Sequence, residues 1–176
     1  MSDDIATLPL RSESGQAVKL VVFDFDGVFT DNTVWCDDAG GEMVRCWRSD
    51  GLGLQKLKQA AIPVWVLSTE VHPVVSRRCE KLRVPCRQGL ESKEAELQKL
   101  VVETGVLLAD VVYVGNDIND AGCLRLAGVP IVVMDAHPDV LHLARYQTSK
   151  PGGFGAVREV CDWVVASAAQ TGVGST

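Results

Sequence analysis

The 176-residue sequence lacks several features that mark other classes of protein. No apolar run reaches the roughly 18 residues that a membrane span needs. The six cysteines include no C-x-x-C pair, and the three histidines are not placed to complete a zinc site. The net charge of −6 leaves no basic excess for contacting nucleic acid phosphates. These absences argue against membrane, zinc-binding and nucleic-acid-binding proteins.

The chain also lacks the marks of a secreted protein. Its scattered cysteines form no disulfide framework and favour free thiols in a reducing cytoplasm. Residues 1–17 are polar, without the basic and then apolar pattern of a signal peptide, and we expect a flexible tail there. Residues 169–176 are expected to form a C-terminal tail. The remaining residues, 18–168, have the length and the apolar content of a single domain.

Short apolar runs alternate with helical patterns along this domain. The strand-like runs are apolar throughout, which indicates strands buried on both faces of a parallel sheet. The order of elements therefore predicts an α/β fold with a doubly wound parallel sheet. We predict strands at 18–23, 64–67, 111–114 and 131–134, a connector or edge strand at 84–86, and helices at 51–61, 73–82, 91–104, 121–127, 138–144 and 156–166. A glycine-rich turn between β-prone segments predicts a hairpin over 33–47.

The stretch Asp24-Phe25-Asp26-Gly27-Val28 directly follows the first strand. Two acids two residues apart on an extended backbone point to the same side. Like charges that close repel each other, unless a cation lies between them. Mg²⁺ prefers oxygen ligands of this kind. The motif therefore predicts a magnesium site at the carboxyl end of the first strand.

Further polar residues follow the other strands. Ser68 follows the second strand, Lys93 begins a helix, and Asn116, Asp117 and Asp120 follow the third strand. The carboxyl ends of parallel strands meet at one crevice, so we expect these side chains to converge. Carboxylates, a hydroxyl and an ammonium around one point suit phosphoryl transfer, which needs a nucleophile and neutralisation of charge.

Together these motifs resemble the haloacid dehalogenase superfamily of phosphatases. Within it, the chain is similar to the 3-deoxy-manno-octulosonate-8-phosphate phosphatase subfamily, which includes the phosphatase-like domain of acylneuraminate cytidylyltransferases. The resemblance implies a Rossmann-like α/β fold with a β-hairpin in place of a cap domain. It covers about residues 18–165, and its segments are Asp24–Asp31, Ser49–Gly53, Gln88-Gly89, Lys93, Gly115–Asp120, Asp135–Pro138 and Gly152–Glu159.

The resemblance implies catalytic roles for four residues. Asp24 would be the nucleophile and would form an aspartyl-phosphate. Asp26 would protonate the leaving sugar oxygen and then activate water. Ser68 would hydrogen-bond the transferring phosphoryl group, and Lys93 would offset its charge. Asp120 would support this site or cap a helix.

The resemblance also implies a metal set and a substrate set. Mg²⁺ would be held by Asp24, by the backbone carbonyl of Asp26 and by the Asn116/Asp117 pair, and which member of the pair binds it stays open. The substrate-binding residues would be Thr30, Asp50, Gly51 and Arg158.

The expected activity is Mg²⁺-dependent hydrolysis of a phosphorylated 2-keto-3-deoxy sugar acid, of the octulosonate 8-phosphate or nonulosonate 9-phosphate type. The resemblance implies a cytoplasmic homotetramer in which the hairpin, with its apolar positions Val34, Trp35, Met43, Val44 and Trp47, forms an interface. Alternatively, the hairpin packs on its own domain. A second candidate function is a weakly active or inactive oligomerisation domain, and a third is a receiver domain that accepts phosphate from a kinase.

Three positions depart from the family pattern. Asn116 stands where the family usually has aspartate, which predicts weaker Mg²⁺ binding. Glu70 stands where the family often has an arginine, and Ser49 replaces an arginine before Asp50-Gly51. These changes leave the reaction type unaltered and the identity of the sugar acid open.

Overall fold

The computed structural model describes residue 10 and residues 17–171. The strands are β1 (Leu20–Phe23), β2 (Trp35–Cys36), β3 (Glu42–Met43), β4 (Val64–Leu67), β5 (Cys86–Arg87), β6 (Val111–Gly115), β7 (Val129–Val132) and β8 (Tyr146–Gln147). The α-helices are α1 (Asp50–Gln59), α2 (Val74–Leu82), α3 (Lys93–Thr104), α4 (Ala121–Leu126), α5 (Pro138–Leu141) and α6 (Ala156–Thr171).

Six strands form one parallel sheet in the order β5-β4-β1-β6-β7-β8. β1 lies in the middle, where Val22 is aligned with Trp65 on one side and Tyr113 on the other. Every residue of β1 and β6 is buried, because helices cover both faces of the sheet. The predicted doubly wound α/β fold is confirmed, and it brings the carboxyl ends of β1, β4 and β6 side by side.

The predicted hairpin is present, with shorter strands than expected. β2 and β3 pair antiparallel over two residues each, outside the main sheet. Asp37 closes the turn, since its Oδ1 accepts hydrogen bonds from the backbone N–H groups of Ala39 and Gly41. A bridge between Thr30 and Cys46 joins the base of the hairpin to the loop after β1.

Several boundaries differ from the prediction. β7 begins two residues before Ile131, because Pro130 is accommodated inside a strand although it lacks an N–H. The segment near residue 86 is an edge strand, β5, and not a mere connector. β8 was not predicted, since its two residues carry no local pattern and are held by pairing with β7. α5 ends at Leu141 instead of residue 144, and α6 continues to Thr171, past the predicted end of the domain.

Most of the predicted N-terminal tail lies outside the described residues. Leu10 is described: it is buried, and its N–H donates to Ser167 Oγ at 2.8 Å. In the predicted C-terminal tail, residues 172–176 lie outside the described part. Across residue 10 and residues 17–171, none of the helices combines the length and the apolar character that a membrane crossing requires.

Candidate active site

A tight turn after β1 presents the two acids of the D-x-D motif. The N–H of Asp24 continues the sheet by donating to the carbonyl of Val114 at 2.9 Å. Gly27 has a φ of +78°, and a Cβ there would lie 2.0 Å from Asn116 Nδ2. Thr30 Oγ1 accepts the N–H of Gly27 at 3.0 Å and thereby closes the turn. Only glycine fits this backbone and this contact.

A cleft of about 290 Å³ opens at this turn, beyond the carboxyl ends of β1, β4 and β6. The structure therefore brings together five of the residues that the sequence assigned to the site. The residues lining the cleft are Asp24, Asp26, Asn32, Ser68, Thr69, Asn116, Asp117, Ile118 and Asn119. A larger groove of about 940 Å³ lies between α1 and α2, near the start of β4. No carboxylate lines this groove, so the smaller cleft is the candidate active site.

Lys93 lies buried beneath the cleft and joins two acids. Its Nζ is 2.7 Å from Asp24 Oδ1 and 2.8 Å from Asp120 Oδ1, and its side chain is fully buried. The ammonium donates a hydrogen bond to Asp120 Oδ1 and forms an ion pair with Asp24. Among the described residues the ammonium contacts no third acceptor, and Lys93 itself is not one of the residues that line the cleft.

Burial governs the protonation of this pair. Burial, with a further contribution from Asp120, raises the pKa of Asp24 well above its usual value, although Lys93 works against the shift. Burial alone would lower the pKa of Lys93, but Asp24 and Asp120 outweigh it and raise that pKa. Lys93 therefore stays charged, and further positive charge at the site would favour the ionised, nucleophilic form of Asp24.

Asp26 and Ser68 face the cleft from neighbouring strand ends. Burial, and then the charge of Glu70, raise the pKa of Asp26, which is a property expected of a general acid. Ser68 is buried, and its Oγ accepts the N–H of Glu70 at 3.1 Å. Because the oxygen is the acceptor in that bond, the hydroxyl hydrogen is free to donate.

The site also carries a set of oxygens that suits a hard cation. The amide group of Asn116 lies 3.0 Å from the backbone carbonyl oxygen of Asp26 and 3.1 Å from Asp24 Oδ2. With nitrogen at this position, the amide donates to both oxygens. With oxygen there, three oxygens face one another, as the ligands of Mg²⁺ do. The donor set therefore fits Mg²⁺.

The acidic side chains alone do not form a metal site. Within the described part of the chain, histidine, cysteine, aspartate and glutamate side chains do not gather in groups of three that could hold an ion. Asp117 lines the cleft, but its Oδ1 accepts the N–H of Ile118 at 2.7 Å and caps a short 3-10 helix. A cation here would depend on the carbonyl of Asp26 and the amide of Asn116.

The four predicted substrate-binding residues lie outside the lining of the cleft. Thr30 is fully buried inside the turn after β1. Asp50 is buried at the start of α1, where its Oδ1 accepts the N–H of Arg158 at 3.2 Å. The guanidinium of Arg158 is held by Asp162, and Gly51 lines the larger groove. The structure gives these residues contacts that stabilise the fold, and their substrate role stays a prediction.

Two of the family motifs, Asp135–Pro138 and Gly152–Glu159, contact the loops that carry the catalytic residues. His137 donates its N–H to the carbonyl of Asn116 at 2.8 Å, and Asp135 Oδ1 accepts the N–H of Gly152 at 2.8 Å. A Cβ at Gly152 would lie 1.9 Å from the carbonyl oxygen of Gly27. The glycine therefore lets the loop before α6 pack against the turn that carries the D-x-D motif.

Asp120 contacts both the loop after β6 and a tyrosine that the sequence analysis does not assign to the site. Asp120 Oδ2 accepts the N–H of Asn116 at 2.8 Å, so the carboxylate fixes the loop after β6. Its Oδ1 accepts the hydroxyl of Tyr113 at 2.6 Å. The sequence pattern places Tyr113 in a buried strand and gives it no other role. A hydroxyl in an otherwise apolar strand next to an acidic loop is the signal that could have revealed it.

Comparison with known proteins gives a family. A profile described as haloacid dehalogenase-like hydrolase matches residues 90–160. The 3-deoxy-D-manno-octulosonate 8-phosphate phosphatase KdsC of Escherichia coli is 32% identical over 146 residues, which cover 82% of this chain and 78% of that protein.

Solved structures agree with this relationship. A putative HAD family hydrolase from Streptomyces avermitilis is 42% identical, with a TM-score of 0.81, over 83% of this chain and 84% of the other. The 3-deoxy-D-manno-octulosonate 8-phosphate phosphatase of Moraxella catarrhalis, solved with magnesium, phosphate and a KDO molecule, is 32% identical. Its TM-score is 0.83, over 89% of this chain and 90% of the other.

Proposed function

Since this chain belongs to the haloacid dehalogenase-like hydrolases and is a phosphoric monoester hydrolase, we propose that it is a Mg²⁺-dependent phosphatase of a sugar acid phosphate. The substrate would be a 2-keto-3-deoxy sugar acid of the octulosonate 8-phosphate or nonulosonate 9-phosphate type. The observation that carries this proposal is the contact of Lys93 with Asp24 beneath a cleft that also holds Asp26, Ser68 and Asn116.

The residues divide the reaction into two steps. Asp24 attacks the phosphorus while Asp26 gives its proton to the leaving sugar oxygen, and an aspartyl-phosphate forms. Asp26 then accepts a proton from a water molecule, which attacks the phosphorus and restores Asp24. The ammonium of Lys93 offsets the phosphoryl charge, and the hydroxyl of Ser68 donates to a phosphoryl oxygen throughout.

The metal would be held by Asp24 Oδ2, the Asp26 carbonyl and the amide oxygen of Asn116. Bound there, Mg²⁺ would neutralise phosphoryl charge and favour the ionised form of Asp24. Asn116 is favoured over Asp117 as the direct ligand, because its amide lies beside the other two oxygens while Asp117 caps the following 3-10 helix. Asn offers one neutral oxygen, so we expect weaker metal binding than with an aspartate.

The mouth of the cleft bears on which sugar is hydrolysed. Glu70 is close enough to Asp26 to raise its pKa, and no arginine or lysine lines the cleft among the described residues. Glu70 does not itself line the cleft, and its Oε1 accepts the N–H groups of Val71 and His72, but its negative charge opposes binding of a carboxylate nearby. A cation that binds the acid group of the sugar would therefore have to come from outside this lining.

The hairpin supplies an exposed apolar surface that supports assembly. Trp35 and Met43 are both 69% exposed, and Val34 is 51% exposed. Large apolar side chains this exposed favour an interface over packing on the chain's own domain. We propose a homotetramer built through this hairpin. The six free cysteines favour a cytoplasmic enzyme.

A panel of phosphorylated sugar acids and neutral sugar phosphates, with and without Mg²⁺, tests the function. We expect phosphate release from at least one sugar acid phosphate, with loss of activity in EDTA. Asp24→Asn should abolish turnover and leave the circular dichroism spectrum unchanged. Absence of release across the panel, combined with a tetramer in solution, would favour the alternative of an oligomerisation domain. The receiver-domain alternative has no support, because both acids follow β1 and the comparisons give a hydrolase family.

A further inference from the structure

Tyr113 extends the catalytic charge network by one residue, and nothing in the proposed mechanism accounts for it. The residue is fully buried in β6, with Val22 of β1 and Pro130 of β7 beside it. Its hydroxyl donates to Asp120 Oδ1 at 2.6 Å. The same oxygen accepts Lys93 Nζ at 2.8 Å, and Lys93 in turn contacts Asp24 at 2.7 Å. An unbroken chain of contacts thus runs from the tyrosine to the nucleophile.

The charges in this chain do not balance. When Asp24 is ionised, it and Asp120 bring two negative charges into a buried space where Lys93 brings one positive charge. The two carboxylates compete for the same ammonium, and each contact is short. If Asp120 drew the ammonium towards itself, Asp24 and the phosphoryl group would lose part of its charge.

Tyr113 donates to the oxygen at which this competition takes place. A donor on Asp120 Oδ1 takes up part of its negative charge and weakens its hold on Lys93. Burial and the charge of Asp120 raise the pKa of Tyr113 well above its usual value, so the phenol keeps its proton and remains a donor. Cys123 also lies near the hydroxyl, and it too stays protonated, since burial raises its pKa to about 12.

We propose that Tyr113 is a positioning residue: its hydroxyl, by sharing Asp120 Oδ1 with Lys93, keeps the ammonium centred on Asp24 and the phosphoryl group. The proposal rests on the proposed phosphatase function. It assigns to the tyrosine no contact with the substrate. Its effect should therefore fall on the chemical step, be independent of the leaving group, and leave substrate binding unchanged.

The test compares Tyr113→Phe with wild type on p-nitrophenyl phosphate and on the sugar phosphate that gives the highest rate. We expect kcat to fall about tenfold on both substrates by the same factor, with KM within twofold, because one hydrogen bond to a charged group is lost. Ser167→Ala is the matched control. It removes another buried hydroxyl, which contacts Trp163 and Leu10 far from the site. The control should keep wild-type kcat at a comparable loss of thermal stability.

A double-mutant cycle separates positioning from general destabilisation. If Tyr113 acts through Asp120, Tyr113→Phe should have no further effect on kcat in an Asp120→Asn background. Multiplicative losses in the double variant would overturn the proposal, as would a wild-type kcat in Tyr113→Phe. If wild type itself hydrolyses neither compound, the proposed function fails, and that result is distinct from failure of this inference.

A measurement without substitution at Tyr113 covers the case in which Tyr113→Phe does not fold. The chain has only two tyrosines, so 3-fluorotyrosine gives two ¹⁹F resonances, which a Tyr146→Phe variant assigns. Addition of Mg²⁺ and beryllium fluoride, a phosphoryl mimic, should shift the Tyr113 resonance as Lys93 contacts the mimic. If beryllium fluoride binds and the Tyr113 resonance does not move, the proposal is wrong.

Discussion

Asp50 offers the sharpest test of the electrostatics of this fold. The residue is fully buried, its Oδ1 accepts a hydrogen bond from Arg158, and its Oδ2 is buried without a hydrogen-bond partner. Burial raises its pKa to about 7, against the opposing effects of Arg78 and Arg158. The charges and the hydrogen bond around Asp50 therefore do not offset the cost of burying its negative charge.

The sign and size of the effect follow from this pKa. Between the usual value of 3.8 and about 7, the unfolded chain ionises Asp50 while the folded protein keeps it protonated. The stabilisation that comes from keeping Asp50 protonated in the folded protein is complete below pH 4. It is lost progressively as the pH rises to about 7, and above that pH the stability no longer depends on Asp50 ionisation. The total loss is at most about 4 kcal/mol, at about 1.4 kcal/mol per pH unit.

Asp50→Asn removes this pH dependence. We expect the variant to be as stable as wild type near pH 4 and more stable by up to about 4 kcal/mol at pH 8. Urea unfolding followed by circular dichroism at several pH values measures the difference. Asp162→Asn is the control with a pKa shift of the opposite sign. Lys56 and Arg158 lower the pKa of Asp162, although burial opposes them. A difference between Asp50→Asn and wild type that is the same at every pH would show that ionisation of Asp50 does not change the stability.

Three further predictions concern the metal, the acid and the hairpin. Asn116→Asp adds a carboxylate oxygen beside Asp24 and should lower the Mg²⁺ dissociation constant about tenfold in calorimetry; an unchanged constant would remove Asn116 from the metal site. Glu70→Gln takes away a charge that raises the pKa of Asp26, so the alkaline limb of the kcat/KM profile should move to lower pH; a limb that stays in place would mean that Glu70 does not act on Asp26. Asn116→Asp and Glu70→Gln leave the hairpin unchanged, whereas Trp35→Lys combined with Met43→Lys should convert the proposed tetramer to smaller species in sedimentation velocity; a tetramer that persists in this variant would place the interface elsewhere.

The sequence alone predicts the part of the site that lies at the carboxyl ends of the strands. Asp24, Ser68 and Asn116 each follow a short run of apolar residues, and parallel strands necessarily bring their carboxyl ends to one edge of the sheet. The strand pattern therefore predicted both the fold and the convergence of these residues. Lys93 is different, because its place depends on the packing of α3, and its position in the family motif was the only guide.

Other features depend on contacts that no local pattern shows. Thr30, Asp50 and Arg158 belong to family motifs, but the structure places them in turns and helix contacts behind the site. A sequence motif does not show whether a residue is buried and stabilises the fold or is exposed and binds substrate. Tyr113 is not marked by its own segment, because its hydrogen bond is to Asp120, seven residues further along the chain.

In the proposed mechanism, Asp24 is a nucleophile whose attack depends on a divalent cation held by Asp24, Asp26 and Asn116. A crystal structure of the protein with Mg²⁺ and beryllium fluoride tests it most directly. We expect a beryllium fluoride group bonded to the Asp24 carboxylate, a magnesium ion against the Asn116 amide oxygen, and Lys93 Nζ within hydrogen-bonding distance of a fluorine. A bare Asp24 carboxylate, with the ligand elsewhere or absent at saturating concentrations, would contradict it.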